Sequence, residues 1–498
     1  MIYVLLFSVF IISTCGLIYE LIAGALASYL LGDSITQFST VIGSFLFSMG
    51  IGAYLSKHVN KNLIYTFILV ELIIGMVGGF SATILFIAFE YIVHFRILLY
   101  LIVGIIGIFV GFEIPILMRI LQNNFAFKDL VAKVFTFDYV GALIASILFP
   151  LILVPHLGLI KTALVFGIIN VLIAIWAIYI FKNKVSNIKT LQGTAFFVLG
   201  ILLLGLFFSD KLVEISEKGN YQDKIIYSKS SKYQKIVLTK STNEFKLFLN
   251  RNLQFSSKDE YRYHEALVHI GLSSLDNPKQ VLILGGGDGL AVREILKYKS
   301  IEAITIVELD SEITNMFSKN TLLTKINSRS LLSEKVKIIN EDAFIWLKEN
   351  KKKFDFIVVD FPDPSNFSIG KLYTNSFYRL LYNAISNTGL AVIQSTSPYV
   401  AKKSFWCVDN TLKSVGFRTY PYHVYVPSFG DWGYILVAKN AFQLRNNFPT
   451  ELKFINYELA QTFFHFPNDS KATVNEINKL NNQVLVRYFE QEWSDYVQ

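Results

Sequence analysis

The chain has 498 residues and a formal net charge of +8. The length suits one membrane domain plus one or two soluble units. The positive charge is spread out: the only run, Lys351-Lys352-Lys353, reads as a solvated turn, so nothing points to nucleic-acid binding. The two cysteines, Cys15 and Cys407, are too few and too far apart for a disulfide framework or a metal site.

Residues 1–208 are almost continuously apolar and read as a transmembrane domain of about seven helices, near 4–31, 37–56, 64–92, 97–118, 137–156, 160–181 and 192–208. The first segment is too long to be a cleaved leader. Lys57 and Lys61, then Arg119, Lys128 and Lys133, then Lys182, Lys184 and Lys189 occupy alternate loops; the intervening loops carry only Arg96 and Lys161. The positive-inside rule therefore puts the N-terminus and the Lys-rich loops in the cytoplasm. If the seventh segment spans, the second half of the chain lies outside. If that segment lies along the interface, the second half is cytoplasmic, and a nucleotide-type ligand favours this side. The expectation is a multi-pass protein of the cell membrane with a cytoplasmic catalytic half. Glu20, Glu71, Glu90, Glu113 and Asp138 fall inside apolar spans, where carboxylates are costly and are candidates for binding a cationic substrate.

The second half has ordinary soluble composition. Residues 209–265 read as a small β domain: Lys235–Thr239 and Lys246–Asn250 are short β-type runs, with turn residues at Asn243 and Asn250-Arg251-Asn252. Asp259-Glu260 opens a helix that carries Tyr261, Tyr263, His264 and Glu265. From residue 266 to 440, strands predicted at 281–284, 304–308, 336–339, 355–360 and 390–394 alternate with helices, the pattern of a parallel, doubly wound Rossmann-like sheet. Residues 441–498 form a C-terminal extension with a predicted helix near 470–490.

Chemistry concentrates at the strand ends. Val281–Leu284 runs into Gly285-Gly286-Gly287-Asp288-Gly289, a turn whose backbone N–H groups can approach a ligand closely. Glu308 follows the next strand at the spacing of an acid that holds ribose hydroxyls. Asp342, Asp360 and Gln394 end further strands. Asp360 and Asp363 flank Phe361-Pro362 and precede Pro364, and prolines fix φ and stiffen the loop.

These motifs, with Ser231–Leu238, Leu247–Glu265, Glu341–Phe344, Leu372-Tyr373 and Phe377-Tyr378, resemble the polyamine aminopropyltransferases, the spermidine synthase family, over about 225–440. The layout resembles the membrane-fused branch of that family. The resemblance implies transfer of an aminopropyl group from decarboxylated S-adenosylmethionine, used as co-substrate without a metal, to putrescine or a related polyamine. The products are spermidine or an analogue and methylthioadenosine. By match, Asp360 is the catalytic base or orienter. Gln234, Gln254, His264, Gly285, Gly287, Asp288, Glu308 and Asp342 serve the co-substrate, and Tyr263, Asp363, Gln394 and Tyr425 the acceptor. The same resemblance implies self-association, as a homodimer, since the soluble members are commonly dimeric or tetrameric; the apolar spans themselves imply contact with a lipid bilayer.

Three departures bear on the acceptor end. Phe361-Pro362 replaces two small serines, His264 stands where soluble members commonly have Gln, and Asn250-Arg251 replaces an Asp-Gly turn. Two other readings compete. One is an S-adenosylmethionine-dependent methyltransferase, against which the first strand ends at Leu284 without the usual acid. The other is a polyamine transporter or sensor whose soluble half only binds.

Overall fold

The structure, a computed structural model, describes residues 2–31, 34–92, 94–122, 125–184, 187–209, 211 and 221–497. The chain divides into two compact units, Met1–Ile225 and Ile226–Gln498.

The first unit is helical: α1 (Ile2–Leu31), α2 (Ser34–Ser56), α3 (Leu63–Tyr91), α4 (Phe95–Leu121), α5 (Phe127–Leu148), α6 (Val154–Ile180) and α7 (Ile188–Phe207), with a π-helical turn, Phe149–Leu153, joining α5 to α6. The principal packing partners are α2 with α4, α3 with α6 and α1 with α5. Glycines permit the closest of these approaches. A Cβ on Gly52 would lie 1.9 Å from the Ile108 carbonyl oxygen, and one on Gly111 would lie 2.2 Å from that of Met49. Small residues at such crossings let helix backbones approach closely enough for extensive van der Waals contact.

Among the described residues, six helical stretches are long and apolar enough to cross a membrane, and one of them, Phe127–Ile180, has 54 residues. At about 1.5 Å per residue it would extend about 81 Å, more than twice the hydrocarbon thickness. Gly158 breaks it with φ 71° and ψ 178°, so it comprises two segments. The segment predicted at 137–156 in fact begins at Phe127. Leu130 and Val134 are buried, but Lys128, Asp129 and Lys133 hide that first turn from a hydropathy pattern.

The second unit opens with a four-stranded sheet in the order β1 (Lys224–Ser230), β2 (Lys235–Lys240), β3 (Phe245–Leu249) and β4 (Asn252–Ser256). Asn250 and Arg251 both take positive φ, 49° and 72°, and form the two-residue turn between β3 and β4. Then come α8 (Glu260–Leu272), β5 (Gln280–Gly285), α9 (Leu290–Ile295), β6 (Ala303–Val307), α10 (Ser311–Lys319), α11 (Thr321–Ile326), β7 (Val336–Ile339), α12 (Ala343–Glu349), β8 (Phe354–Asp360), α13 (Phe367–Gly370), α14 (Asn375–Ala384), β9 (Ile385–Gln394), α15 (Lys402–Lys413), β10 (Arg418–Val426) and β11 (Gly430–Ala438). The large sheet has the order β10-β11-β9-β8-β5-β6-β7. β5 to β9 run parallel; β11 is antiparallel to β9 and β10 to β11. This is the Rossmann-like arrangement of methyltransferase type. Its chain order reverses between β5 and β8, where Gly285 lies in register with Asp360. Ligands of such sheets bind beyond the strand ends at that reversal.

The extension after β11 folds as α16 (Tyr457–Thr462) and α17 (Val484–Val497). The helix predicted near 470–490 is thus displaced: residues 471–482 are not helical. Buried Asn478 instead donates its side-chain amide to the carbonyls of Gly370 and Tyr373, its backbone N–H donates to the Thr411 hydroxyl and its carbonyl accepts from the Asn375 N–H, which draws this stretch away from helical geometry.

Candidate active site

The reversal point gathers the acids. Gly285, with φ 85°, turns the chain off β5 directly against β8; a Cβ there would lie 2.2 Å from the Asp360 carbonyl oxygen. A Cβ on Gly287 would lie 2.7 Å from Glu308 Cγ, and the Gly287 N–H donates to Glu308 Oε2 at 3.3 Å. Glu308 Oε1 accepts from the Asp310 N–H at 2.9 Å. Its carboxyl is pushed up to about 7, chiefly by burial, with these two backbone donors opposing. Asp288 accepts from the Leu290 N–H at 2.9 Å, which holds it at the head of α9.

Asp360 ends β8 and accepts a 2.5 Å hydrogen bond from the Tyr263 hydroxyl on α8. Burial pushes its carboxyl up to about 6, against the opposing pull of His264 and with Asp288 adding to the rise. His264 is 2% exposed, and its Nδ1 lies 2.8 Å from the Glu260 carbonyl oxygen and 3.1 Å from Glu260 Oε2. Burial disfavours its charge, but Glu260, Asp288 and Asp360 outweigh it and raise the imidazole to about 9. His264 is therefore a cation at neutral pH, set among the site carboxylates.

Asp363 follows in the loop. Gln394 Nε2 donates to its Oδ1 at 3.0 Å and the Thr396 hydroxyl to its Oδ2 at 3.4 Å. Burial raises it to about 6, and these two donors oppose the rise. Gln394 also donates to the Phe361 carbonyl at 2.8 Å, and its own oxygen accepts from the Thr396 N–H. Gln394, expected to receive the acceptor, also fixes the Asp363 loop. Tyr425, expected beside it, is 62% exposed on edge strand β10. Tyr434 on β11 is a buried tyrosine near the acids: its ring centroid lies 5.5 Å from that of Tyr263, and its hydroxyl donates to the Tyr263 carbonyl.

The remaining co-substrate candidates are held by neighbours. Gln234 Nε2 donates to Asp310 Oδ2 at 3.0 Å, tying β2 to the end of β6. Gln254 donates to the Asn252 carbonyl in its own strand. Asp342 caps α12 through the Phe344 N–H and pairs with Lys371 Nζ at 2.6 Å. A ligand amino group there would share the carboxylate with Lys371.

Sequence reasoning missed the support of His264. Arg293 on α9 forks onto both Glu260 oxygens at 2.8 and 2.9 Å, and together with His264 it outweighs burial and holds Glu260 down at about 2. The only sequence signal was Arg293, four residues beyond the glycine turn. Tyr373 was also missed as a site residue; its hydroxyl donates to the Phe361 and Pro362 carbonyls at 3.3 and 3.2 Å. Phe361, which replaces a small serine, is 7% exposed and packs on Tyr373 and Phe377. The floor of the loop is therefore aromatic.

Residues 260–447 match the Spermine/spermidine synthase domain family. The chain is 52% identical over 487 residues to a polyamine aminopropyltransferase of Leptospira interrogans, with 98% of each chain covered. It is 48% identical over 498 residues to polyamine aminopropyltransferase 2 of Ralstonia nicotianae, again with 98% of each covered. A crystal structure of spermidine synthase in complex with the transition-state analogue AdoDATO aligns at 28% identity with a TM-score of 0.47, covering 49% of this chain and 86% of that one. The curated matches run through both units, helical and Rossmann-like, and show that the chain belongs to the polyamine aminopropyltransferase family.

Proposed function

We propose that the chain transfers the aminopropyl group of decarboxylated S-adenosylmethionine to putrescine or a closely related polyamine, releasing methylthioadenosine. The observation that carries this reading is the Tyr263–Asp360 bond beside Asp363 at the sheet reversal. Glu308 and Asp342 end the strands where the ribose and adenine would lie, Asp288 faces the aminopropyl amine, and the glycine turn admits the ligand close to the backbone. The acceptor nitrogen attacks the carbon next to the sulfonium: the N–C bond forms, the C–S bond breaks, and its electron pair leaves on sulfur as a neutral thioether. No acid is needed for that leaving group. The acceptor amine must lose a proton, and Asp360, oriented by Tyr263, is placed to take it. Asp363 draws the distal ammonium, and alignment of the two substrates supplies much of the rate. Before substrate enters, His264 opposes the burial that raises Asp288 and Asp360; a bound cationic substrate would take over that role. An acid-lined site also disfavours ordinary S-adenosylmethionine, which carries a further carboxylate.

We propose further that the helical unit sits in the cell membrane with the catalytic unit in the cytoplasm, α7 lying at the interface. A second reading has a specific observation behind it. Phe196, Phe197, Leu203, Leu204 and Phe207 are all exposed on α7, which lacks the polar face of an interfacial helix. If α7 spans, the catalytic unit lies opposite the N-terminus. Protease accessibility of the C-terminal unit in right-side-out vesicles decides between them. The acceptor is settled by incubating the full chain in detergent with decarboxylated S-adenosylmethionine and a panel of diamines and polyamines. Methylthioadenosine release that depends on putrescine supports the proposal. Methyl transfer from ordinary S-adenosylmethionine, with no release in any amine, overturns it.

A further inference from the structure

Four helices of the first unit bring polar side chains to one buried point. They are Tyr19 on α1, Glu71 on α3, Glu113 on α4 and Asn170 on α6, exposed by 1%, 0%, 2% and 1%. The Tyr19 hydroxyl donates to Asn170 Oδ1 at 3.2 Å, and Asn170 Nδ2 donates to Glu71 Oε2 at 2.8 Å. The Glu71 and Glu113 carboxyls interact directly with each other. Each nonetheless keeps one buried oxygen, Oε1, without a hydrogen-bond partner. Both residues lie eight positions in from a helix end, about 12 Å deep.

Buried carboxylates are expensive unless a cation or hydrogen-bond donors satisfy them, and leaving one unpaired costs several kcal/mol. Asn170 supplies one donor. The other groups that act on the pair are acidic, and Asp138 on α5 adds a further negative charge. The cluster therefore has spare acceptors, and among the described residues no Lys or Arg side chain hydrogen-bonds to it. One turn away on the same helix faces, Ile68, Val110 and Ile116 are buried and apolar. Calcium and magnesium take six or more oxygen ligands, and among the described residues no three His, Cys, Asp or Glu side chains gather as a metal-binding group. A primary ammonium fits better: three N–H donors for the open carboxyl oxygens, on an alkyl stem that suits the apolar walls.

We propose that Glu71 and Glu113 form a second amine site, which binds a primary ammonium group of an aliphatic polyamine inside the helical unit. The choice of amine rests on the aminopropyltransferase reading; the site itself does not.

The test is equilibrium dialysis of radiolabelled putrescine and spermidine against the full chain in detergent, with and without saturating AdoDATO to block the transferase site. The expected result is about two amines per chain, one of which survives AdoDATO. Variants E71Q and E113Q should weaken the surviving site at least tenfold while turnover is retained, which also shows that they fold. Binding abolished entirely by AdoDATO in the wild-type chain overturns the proposal and needs no variant to interpret. So does a surviving site that either substitution leaves unchanged, or one that sodium displaces as well as amines do. Turnover measured on the same preparation tests the transferase reading separately.

Discussion

Replacing His264 by Gln tests the electrostatics of the site most sharply. In the wild-type chain the His264 cation is the principal charge that restrains the rise of the Asp360 carboxyl, which burial still pushes to about 6. A neutral amide removes that restraint. An opposite charge close to a carboxyl lowers its titration by about 1 unit or more, so the acid limb of kcat/KM should move up by about one pH unit. Near pH 6.5 that is roughly a three- to fivefold loss of rate, which vanishes at higher pH. Stability should change in a distinct window. The folded imidazole titrates at about 9 against an ordinary value of 6.5. Because the folded value is raised, the contribution is complete below 6.5 and is lost as pH rises through about 9. Its size is about 3 kcal/mol at most, since each pH unit is worth 1.36 kcal/mol and the surrounding charges are coupled. The assay is methylthioadenosine release across pH 5–10, paired with thermal unfolding at pH 6 and pH 9.5. An acid limb that stays in place, or a variant that loses stability between those pH values as the wild type does, would refute the argument.

Two further perturbations act nearby. Tyr263→Phe removes the hydroxyl that donates to Asp360; kcat should fall by roughly tenfold or more and the acid limb should rise, with co-substrate affinity unchanged by calorimetry. Asn478→Ala strands the buried carbonyls of Gly370 and Tyr373 beside the site. It should cost about 1–3 kcal/mol of stability and raise KM for the amine more than it lowers kcat, as thermal unfolding and steady-state kinetics would show.

The chemistry of this chain was legible where a parallel strand ends in an acid. Glu308, Asp342 and Asp360 stand at such ends, and the strand at Val336–Ile339 matches its predicted limits. The hairpin of β10 and β11 was not legible. Pro421 and Gly433 interrupt its alternation, which an edge strand and its inner partner tolerate and a central strand would not. Gln394 was correctly found at a strand end, but a linear pattern cannot show that its amide donates to Phe361 and Asp363. The same blindness hid Arg293, because its partner Glu260 lies 33 residues away. In the helical unit the acids were visible as anomalies in apolar runs; only packing shows that Glu71 and Glu113 meet, whereas Asp138 remains half-buried and Glu20 lies apart from their hydrogen bonds. The side chain of Glu90 lies outside the described residues.

The central claim is that Asp360 accepts the proton of the attacking amine. The direct measurement is single-turnover methylthioadenosine release by the Asp360→Asn chain with decarboxylated S-adenosylmethionine and saturating putrescine, alongside co-substrate binding by calorimetry. The account predicts a rate lower by about 10²- to 10⁴-fold with binding of the co-substrate retained. Turnover within a few-fold of wild type would contradict it.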